Sequence, residues 1–384
     1  MSGIGAENPE LMKLGLQLPG FLERARTLFA MPSLSLLTLA GMTPEDVDIG
    51  HREFRELPAD AVAIGEGEVV WPRILDDFRH QRLQPRYEAD PGAAQNLAES
   101  PLARYDLLDP TKYNRFPVQT SRGCAFKCEF CASSILLTPR YTHKPVERVL
   151  AEIRAIKQHW AQPFIELADD NTFADSRYGR RLVEALADED VKRFAEPDIS
   201  IGEDEELLRL LAPSGCRQIL IGLESLTGAA LDGLELRSNW KYRRRDHYGA
   251  AIEKIQSHGI TLNGCFVLRL DGDNEEVFDL IPRFMEETAL YDVQVTVQTA
   301  FPGTPLYRRL LYAGRLLEPR NRRKCTLFDV NFRPLQMTPA RLEAKFLELV
   351  RELYSEEAIQ HRHRPFFRQF GESFREARLQ PGEA

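Results

Sequence analysis

From Pro117 onward, short apolar runs alternate with stretches in which apolar residues recur every three or four positions. The short runs suit buried strands, and the longer period suits helices with one apolar face. This pattern predicts strands over 117–120, 164–167, 198–201, 218–222, 262–268 and 293–298. Helices are predicted between them over 146–159, 177–186, 204–211, 246–257 and 275–287. Strand and helix in alternation point to an α/β protein with a parallel sheet and helices outside it. After it, 338–374 keeps a helical period, with Phe346, Leu349, Val350 and Leu353 on one face; this tail is expected to pack across the open side of the sheet. Before it, a helix is expected over 21–31, ended by Met31-Pro32, then a second apolar segment reaching Pro44. Residues 61–68 follow as a strand closing in a glycine turn, and 71–82 as a helix with Trp71, Ile74, Leu75 and Phe78 on one face. The polar, proline-containing stretch 84–116 has no period and reads as a linker.

Composition narrows the class. A chain of 384 residues holds one barrel-sized core and an appendage, and 43% hydrophobic with 28% charged residues describes a soluble globular protein. A net charge of −8 gives no electrostatic footprint for nucleic acid. The one basic run, 241–245, is expected to be a solvated loop or a local anion site. No apolar run approaches the roughly 18 residues of a membrane span, and the start lacks a signal-peptide pattern, so a cytoplasmic location is expected.

Chemistry concentrates in Ser121-Arg122-Gly123-Cys124-Ala125-Phe126-Lys127-Cys128-Glu129-Phe130-Cys131. Three thiols at C-x3-C-x2-C spacing, just after the first predicted strand, can reach three corners of an iron–sulfur cube and leave the fourth iron open. Structural zinc prefers four ligands in paired hooks, and no second hook is present. Six cysteines in the whole chain, three of them clustered, do not form a disulfide framework. Of the others, Cys216 and Cys265 read as small core residues, and Cys325, in a polar segment, as the candidate for a substrate-side thiol or auxiliary ligand. Glu224, leaving an apolar strand end, needs a charge partner and is a site candidate on that ground. His361 and His363 would not share a helix face.

The trio resembles the signature of the radical S-adenosylmethionine (radical SAM) superfamily, and Phe130 matches an aromatic common before its last cysteine. The resemblance implies a partial (β/α)6 barrel over 117–335, a [4Fe-4S] cluster on Cys124, Cys128 and Cys131, and S-adenosylmethionine (SAM) on the open iron. Chemistry in barrels of this type sits at the carboxyl ends of the strands. By the same resemblance, Asp169, Asp170 and Asn171 after the second strand stand where the family binds the SAM ammonium. Gly222 and Glu224 after the fourth strand, and Ser200 near the end of the third, are further cofactor contacts. Arg269 stands where glycine is commoner in the F-V-x-G-x-D-G-D segment of the cobalamin-type subfamily, facing an anionic substrate or the SAM carboxylate. Phe301-Pro302-Gly303-Thr304-Pro305-Leu306-Tyr307 matches another segment of that subfamily.

Residues 1–83 resemble a cobalamin-binding domain that has lost its middle, with 32–44 like its start and 61–77 like its end. Only about fifteen residues separate the two, too few for a strand-helix-strand unit of roughly thirty. Cobalamin therefore stands as an optional cofactor that the shortened domain argues against, and 48–51 has the wrong spacing for its histidine motif, leaving His51 a surface residue. The remaining expectations are a linker over 84–116 and a helical extension over 336–384. The resemblance implies an enzyme that uses the cluster to cleave SAM to a 5′-deoxyadenosyl radical, activating a C–H bond of a small-molecule biosynthetic substrate. Methylation, cyclisation and oxidation all begin that way, and an external flavodoxin or ferredoxin would supply the electron. The alternative is an inactive electron-transfer or scaffold protein that keeps the cluster.

Overall fold

The structure is a computed structural model that describes Glu10 and residues 33–44, 60–90, 96–137, 140–319 and 322–376. The helix expected over 21–31 and His51 lie outside the described residues.

The N-terminal part holds a helix at Leu34–Gly41, strand β1 (Val62–Ile64), a helix at Gly67–Arg79 and strand β2 (Arg86–Glu88). β1 and β2 pair in parallel as a sheet of their own. Residues 84–116 are thus more than a linker: they supply β2 and two 3₁₀ turns. They also deliver the buried Tyr105, whose hydroxyl donates to the Pro117 carbonyl at 2.7 Å.

The main sheet follows the chain without a crossover in order. β3 (Phe116–Val118), β6 (Phe164–Leu167), β7 (Lys192–Ala195), β8 (Cys216–Glu224), β9 (Thr261–Leu268) and β10 (Asp292–Val297) lie side by side, all parallel. Helices Val146–Lys157, Ser176–Ala187, Glu205–Leu211, Tyr248–Ser257 and Val277–Thr288 occupy the gaps. This is the parallel sheet with outer helices read from the alternation, with the six strands of the partial barrel that the resemblance implied. Between β3 and β6, two-residue strands β4 (Ser121–Arg122) and β5 (Thr142–His143) pair antiparallel and close the neck of the cysteine loop.

The third strand is the correction. It lies at Lys192–Ala195, and the predicted 198–201 is part of a 3₁₀ turn, Ile199–Glu203. Pro197 cannot donate to a ladder. Beyond it the Asp198 carboxylate accepts the Ser200 N–H at 2.9 Å and hydroxyl at 2.5 Å, a local bond that competes with pairing. The true strand was hidden by Lys192 and Arg193. Arg193 is buried, with its guanidinium bonded to the Ser214 carbonyl and hydroxyl.

Side chains alternate across the sheet. Ile219, Ile221 and Leu223, Leu262, Phe266 and Leu268, and Val293, Val295 and Val297 are buried in the core shared with the helices. Each buried side chain of this size contributes about 1.5–3 kcal/mol. Their neighbours Gln218, Leu220, Gly222, Cys265, Val267 and Gln294 stay partly exposed, so the other face lines an open lumen. Most barrels fill that space with branched aliphatics; here Glu166, Gln218, Asn263, Gln294, Thr296 and Gln298 occupy it.

The tail forms two helices, Pro339–Tyr354 and Glu356–Glu376, broken at Ser355. They cover the edge strand β10. The Tyr354 hydroxyl donates to the Val293 carbonyl at 3.1 Å and accepts the Val295 N–H at 3.2 Å, and the Leu327 carbonyl takes the Val297 N–H at 2.7 Å. An uncovered edge would be a template for aggregation. Tyr354→Phe would leave two buried backbone groups without their partner. We expect it to lower unfolding stability by about 1–3 kcal/mol, read from the shift of the denaturant midpoint.

Candidate functional site

The cysteine loop leaves the carboxyl end of β3, where its irregular backbone cannot satisfy its own donors. Acidic side chains from the end of β6 do so instead. Asp169 accepts the Thr120 N–H (2.7 Å), the Ser121 N–H (2.7 Å) and the Thr120 hydroxyl (2.6 Å). Burial pushes its carboxyl up to about 6 against the pull of those bonds. Asp169 was expected at the SAM ammonium; it is buried and its oxygens are occupied by the chain itself. Asp170, more exposed, accepts the Gly123 N–H at 2.9 Å and the Ser133 hydroxyl. Asn171 donates to Asp198 at 2.8 Å and lies within hydrogen-bond reach of the Cys124 thiol, while its carbonyl oxygen is buried without a partner.

The far side of the loop is held as firmly. The Lys127 ammonium donates to the carbonyls of Ser134 (2.7 Å) and Cys124 (3.3 Å). Cys128 bridges to Glu235, whose carboxylate accepts the N–H groups of Lys127, Arg237, Ser238 and Asn239. Arg309, on the helix Pro305–Tyr312, binds both Glu129 (2.5 Å) and Asp271 (2.5 Å), and the Leu306 N–H donates to the Glu129 carbonyl. Phe130 packs into two small apolar clusters, one with Phe332 and Leu306, the other with Leu234 and Leu270. Arg122 reaches back to Glu66 (3.0 Å) and Glu68 (2.7 Å), which docks the N-terminal part on the loop's neck.

The donor set suits an iron–sulfur cluster. Cys124, Cys128 and Cys131 are free thiols, and the Ser134 N–H points at the Cys131 sulfur at 3.4 Å, as hydrogen bonds to ligating sulfurs do. Among the described residues no three His, Cys, Asp or Glu side chains converge on one metal ion, whereas a cube takes each thiolate on a separate iron. Burial pushes the Cys128 thiol up to about 12, opposed by Lys241 and reinforced by Glu224. Metal binding must displace that proton.

At the end of β8, Glu224 meets the partner its burial demands. Lys241 donates to Glu224 at 2.6 Å and to the Gly222 carbonyl at 2.7 Å. Burial by itself lowers the Lys241 pKa, but Glu224 and then Cys128 reverse the sign and hold it above the ordinary lysine value. The basic run is therefore no solvated loop at its first position: Lys241 is buried in the helix Trp240–Arg244. Gly222 makes room for the pair, since a Cβ there would lie 2.5 Å from the Glu224 carboxylate. Glu224 itself sits at φ 66, a left-handed conformation unusual outside glycine.

Ser200 falls in the 3₁₀ turn, its hydroxyl bonded to Asp198, rather than at a strand end. The residue that does follow the third strand is Glu196. Its carboxyl is pushed up to about 8 by burial and by Glu166, Asp169 and Asp170, against the smaller pull of Arg115. It was missed because the strand was misplaced; Lys241 was missed because a charge run hides one buried member. Cys265 lies on the lumen wall, and Cys325 sits beside Asn331 (3.8 Å) and the Ala300 carbonyl (3.9 Å). Arg269 is buried at the end of β9.

Removing one member of the buried pair leaves an uncompensated charge. Lys241→Met is expected to cost about 3–5 kcal/mol of unfolding free energy, and adding Glu224→Gln is expected to recover much of it in a double-mutant cycle.

Residues 118–281 match the radical SAM superfamily, and residues 304–382 match a domain of unknown function, DUF4070. The bacteriochlorophyllide d C-12(1)-methyltransferase of Chlorobaculum tepidum is 25% identical over 311 residues, 80% of this chain and 67% of that protein. The hopanoid C-3 methylase of Methylococcus capsulatus is 28% identical over 297 residues, 71% of this chain and 53% of that one. The chain thus spans about half to two thirds of the length of these curated relatives. The solved radical S-adenosylmethionine methyltransferase TsrM from Kitasatospora setae aligns with a TM-score of 0.47 at 14% identity, over 70% of this chain and 53% of that one. The cysteine trio lies inside the first match and the second opens at Thr304 within the Pro-Gly-Thr-Pro-Leu-Tyr segment, so residues 118–281 of this chain form a radical SAM domain.

Proposed function

We propose that this chain cleaves SAM reductively and uses the resulting radical on a C–H bond of a small-molecule biosynthetic substrate. The observation that carries the reading is three free thiols on one loop at the carboxyl end of the first strand, pinned there by Asp169 and Asp170 of the second. Cys124, Cys128 and Cys131 would hold three irons of a [4Fe-4S] cluster and leave the fourth for the amino and carboxylate groups of SAM. When bound, that pair supplies one electron and a 5′-deoxyadenosyl radical able to take hydrogen from an unactivated carbon.

The chain's own residues position and exclude. Asp170 and Asn171 stand beside the cysteine loop, where hydrogen bonds to an ammonium would be charge-assisted. Glu196, whose carboxyl burial and neighbouring acids hold toward the protonated form, is assigned to a cofactor or substrate donor. The Glu224–Lys241 pair backs Cys128 and keeps water from that side. An external reduced flavodoxin or ferredoxin is the proposed electron source. The relatives' names favour methyl transfer as the outcome. Cobalamin stays an optional cofactor of this reading; of the described N-terminal residues, Glu66 and Glu68 are engaged by Arg122.

Reconstituted under argon, the wild-type chain should carry about four irons and release 5′-deoxyadenosine from SAM when given a reductant. Alanine at Cys124, Cys128 or Cys131 should strip most of the iron and abolish the release. Iron without 5′-deoxyadenosine would instead mark an electron-transfer or scaffold protein.

A further inference from the structure

At the carboxyl end of β9 the chain turns through Arg269 at φ 80, a left-handed conformation strained for any residue but glycine. Its side chain is only 2% exposed. Nη2 donates to the Phe332 carbonyl at 2.5 Å, and the guanidinium lies 3.8 Å from the centroid of the Phe332 ring. Nε and Nη1 are buried with no partner, which leaves three N–H donors unsatisfied inside the protein.

The surroundings deepen the deficit. Arg315 lies against the same ring at 5.7 Å. The acid nearest in sequence, Asp271, is already taken by Arg309 and by both terminal nitrogens of Arg315. Burial first, and then Arg315, push the Arg269 pKa down to about 9, against the smaller opposing pull of Asp271 and Glu343. A buried cation that is strained, unsatisfied and faced by a second cation is a structural liability unless a group outside the chain completes it. Carboxylate and phosphate oxygens match a guanidinium fork; a neutral hydroxyl would leave the charge uncompensated.

We propose that Arg269 anchors an anionic group, carboxylate or phosphate, of the substrate at the end of the fifth barrel strand, and so selects acidic small molecules. This rests on the radical SAM reading only in taking the carboxyl ends of the strands as the substrate side. The competing source of the same chemistry is the carboxylate of SAM. That group is assigned to the open iron beside the loop held by the second strand, and the sheet places two strands, β7 and β8, between that strand and β9.

Arg269→Gly is the informative variant, because glycine tolerates φ 80 and removes the unsatisfied cation. Reconstituted wild type, Arg269→Gly and Arg269→Lys would be melted with millimolar glutarate or pyrophosphate, against chloride at equal ionic strength. The proposal expects three results together. Arg269→Gly without anion unfolds at or above the wild-type midpoint; glutarate or pyrophosphate raises the wild-type Tm by about 2–4 °C; and the rise is lost in Arg269→Gly and partly kept in Arg269→Lys. A midpoint of Arg269→Gly lower by about 2 °C or more would make the arginine a fold residue and overturn the idea. So would equal protection of all three proteins, which marks adventitious anion binding, or no protection of the wild type. A tenfold or greater loss of SAM affinity in Arg269→Gly would assign the side chain to the cofactor instead. None of these readings needs turnover, so a failure to release 5′-deoxyadenosine sinks the proposed function without deciding this one.

Discussion

A loop that gathers three thiols around one centre has to leave regular secondary structure, and its peptide groups then lose their natural partners. Everything at the top of this barrel answers that constraint. Asp169 and Asp170 take N–H groups on one side of the loop, Glu235 takes the Lys127 N–H on the other, and the Lys127 ammonium donates to two carbonyls in the middle. Buried backbone donors left open would cost about 1–3 kcal/mol each. The acids around the cysteines are in this sense the loop's missing secondary structure.

The same logic explains why polar residues dominate the lumen. The outer face of each strand is committed to the helices through Val, Ile, Leu and Phe, which supply the stability of the fold. That frees the inner face from packing duty. Side-chain oxygens such as those of Asn263 and Gln298 can then stand without partners, a condition tolerated where something other than the chain enters. Two of the left-handed non-glycine residues, Glu224 and Arg269, occupy strand ends facing this region. Strain of that kind persists where the surroundings over-determine it, as Lys241 does for Glu224.

The two edges of the sheet receive similar treatment from distant parts of the chain. Tyr105 closes on the Pro117 carbonyl at one edge, and Tyr354 bridges Val293 and Val295 at the other. A six-stranded open barrel can therefore stand without closing on itself, because side chains from both flanking parts of the sequence take backbone groups of its edge strands.

The family, the parallel barrel and the helical tail were legible in the sequence because each rests on local information: the C-x3-C-x2-C spacing, the alternation of periods, the apolar stripe of the tail. The third strand escaped because Lys192 and Arg193 carry the wrong polarity for a buried strand, and only the Ser214 contacts make Arg193 acceptable there. Asp169 looked like a ligand residue because its letter does not say that Thr120 and Ser121 will arrive beside it. Lys241 looked solvated for the same reason, since its partner is seventeen positions away. Periodicity is set by the geometry of one element and can be read along the chain. Which charge is neutralised, which acid holds backbone and which stays open for a ligand depend on groups that only the folded sheet brings within about three ångströms, and those the tertiary structure alone decided.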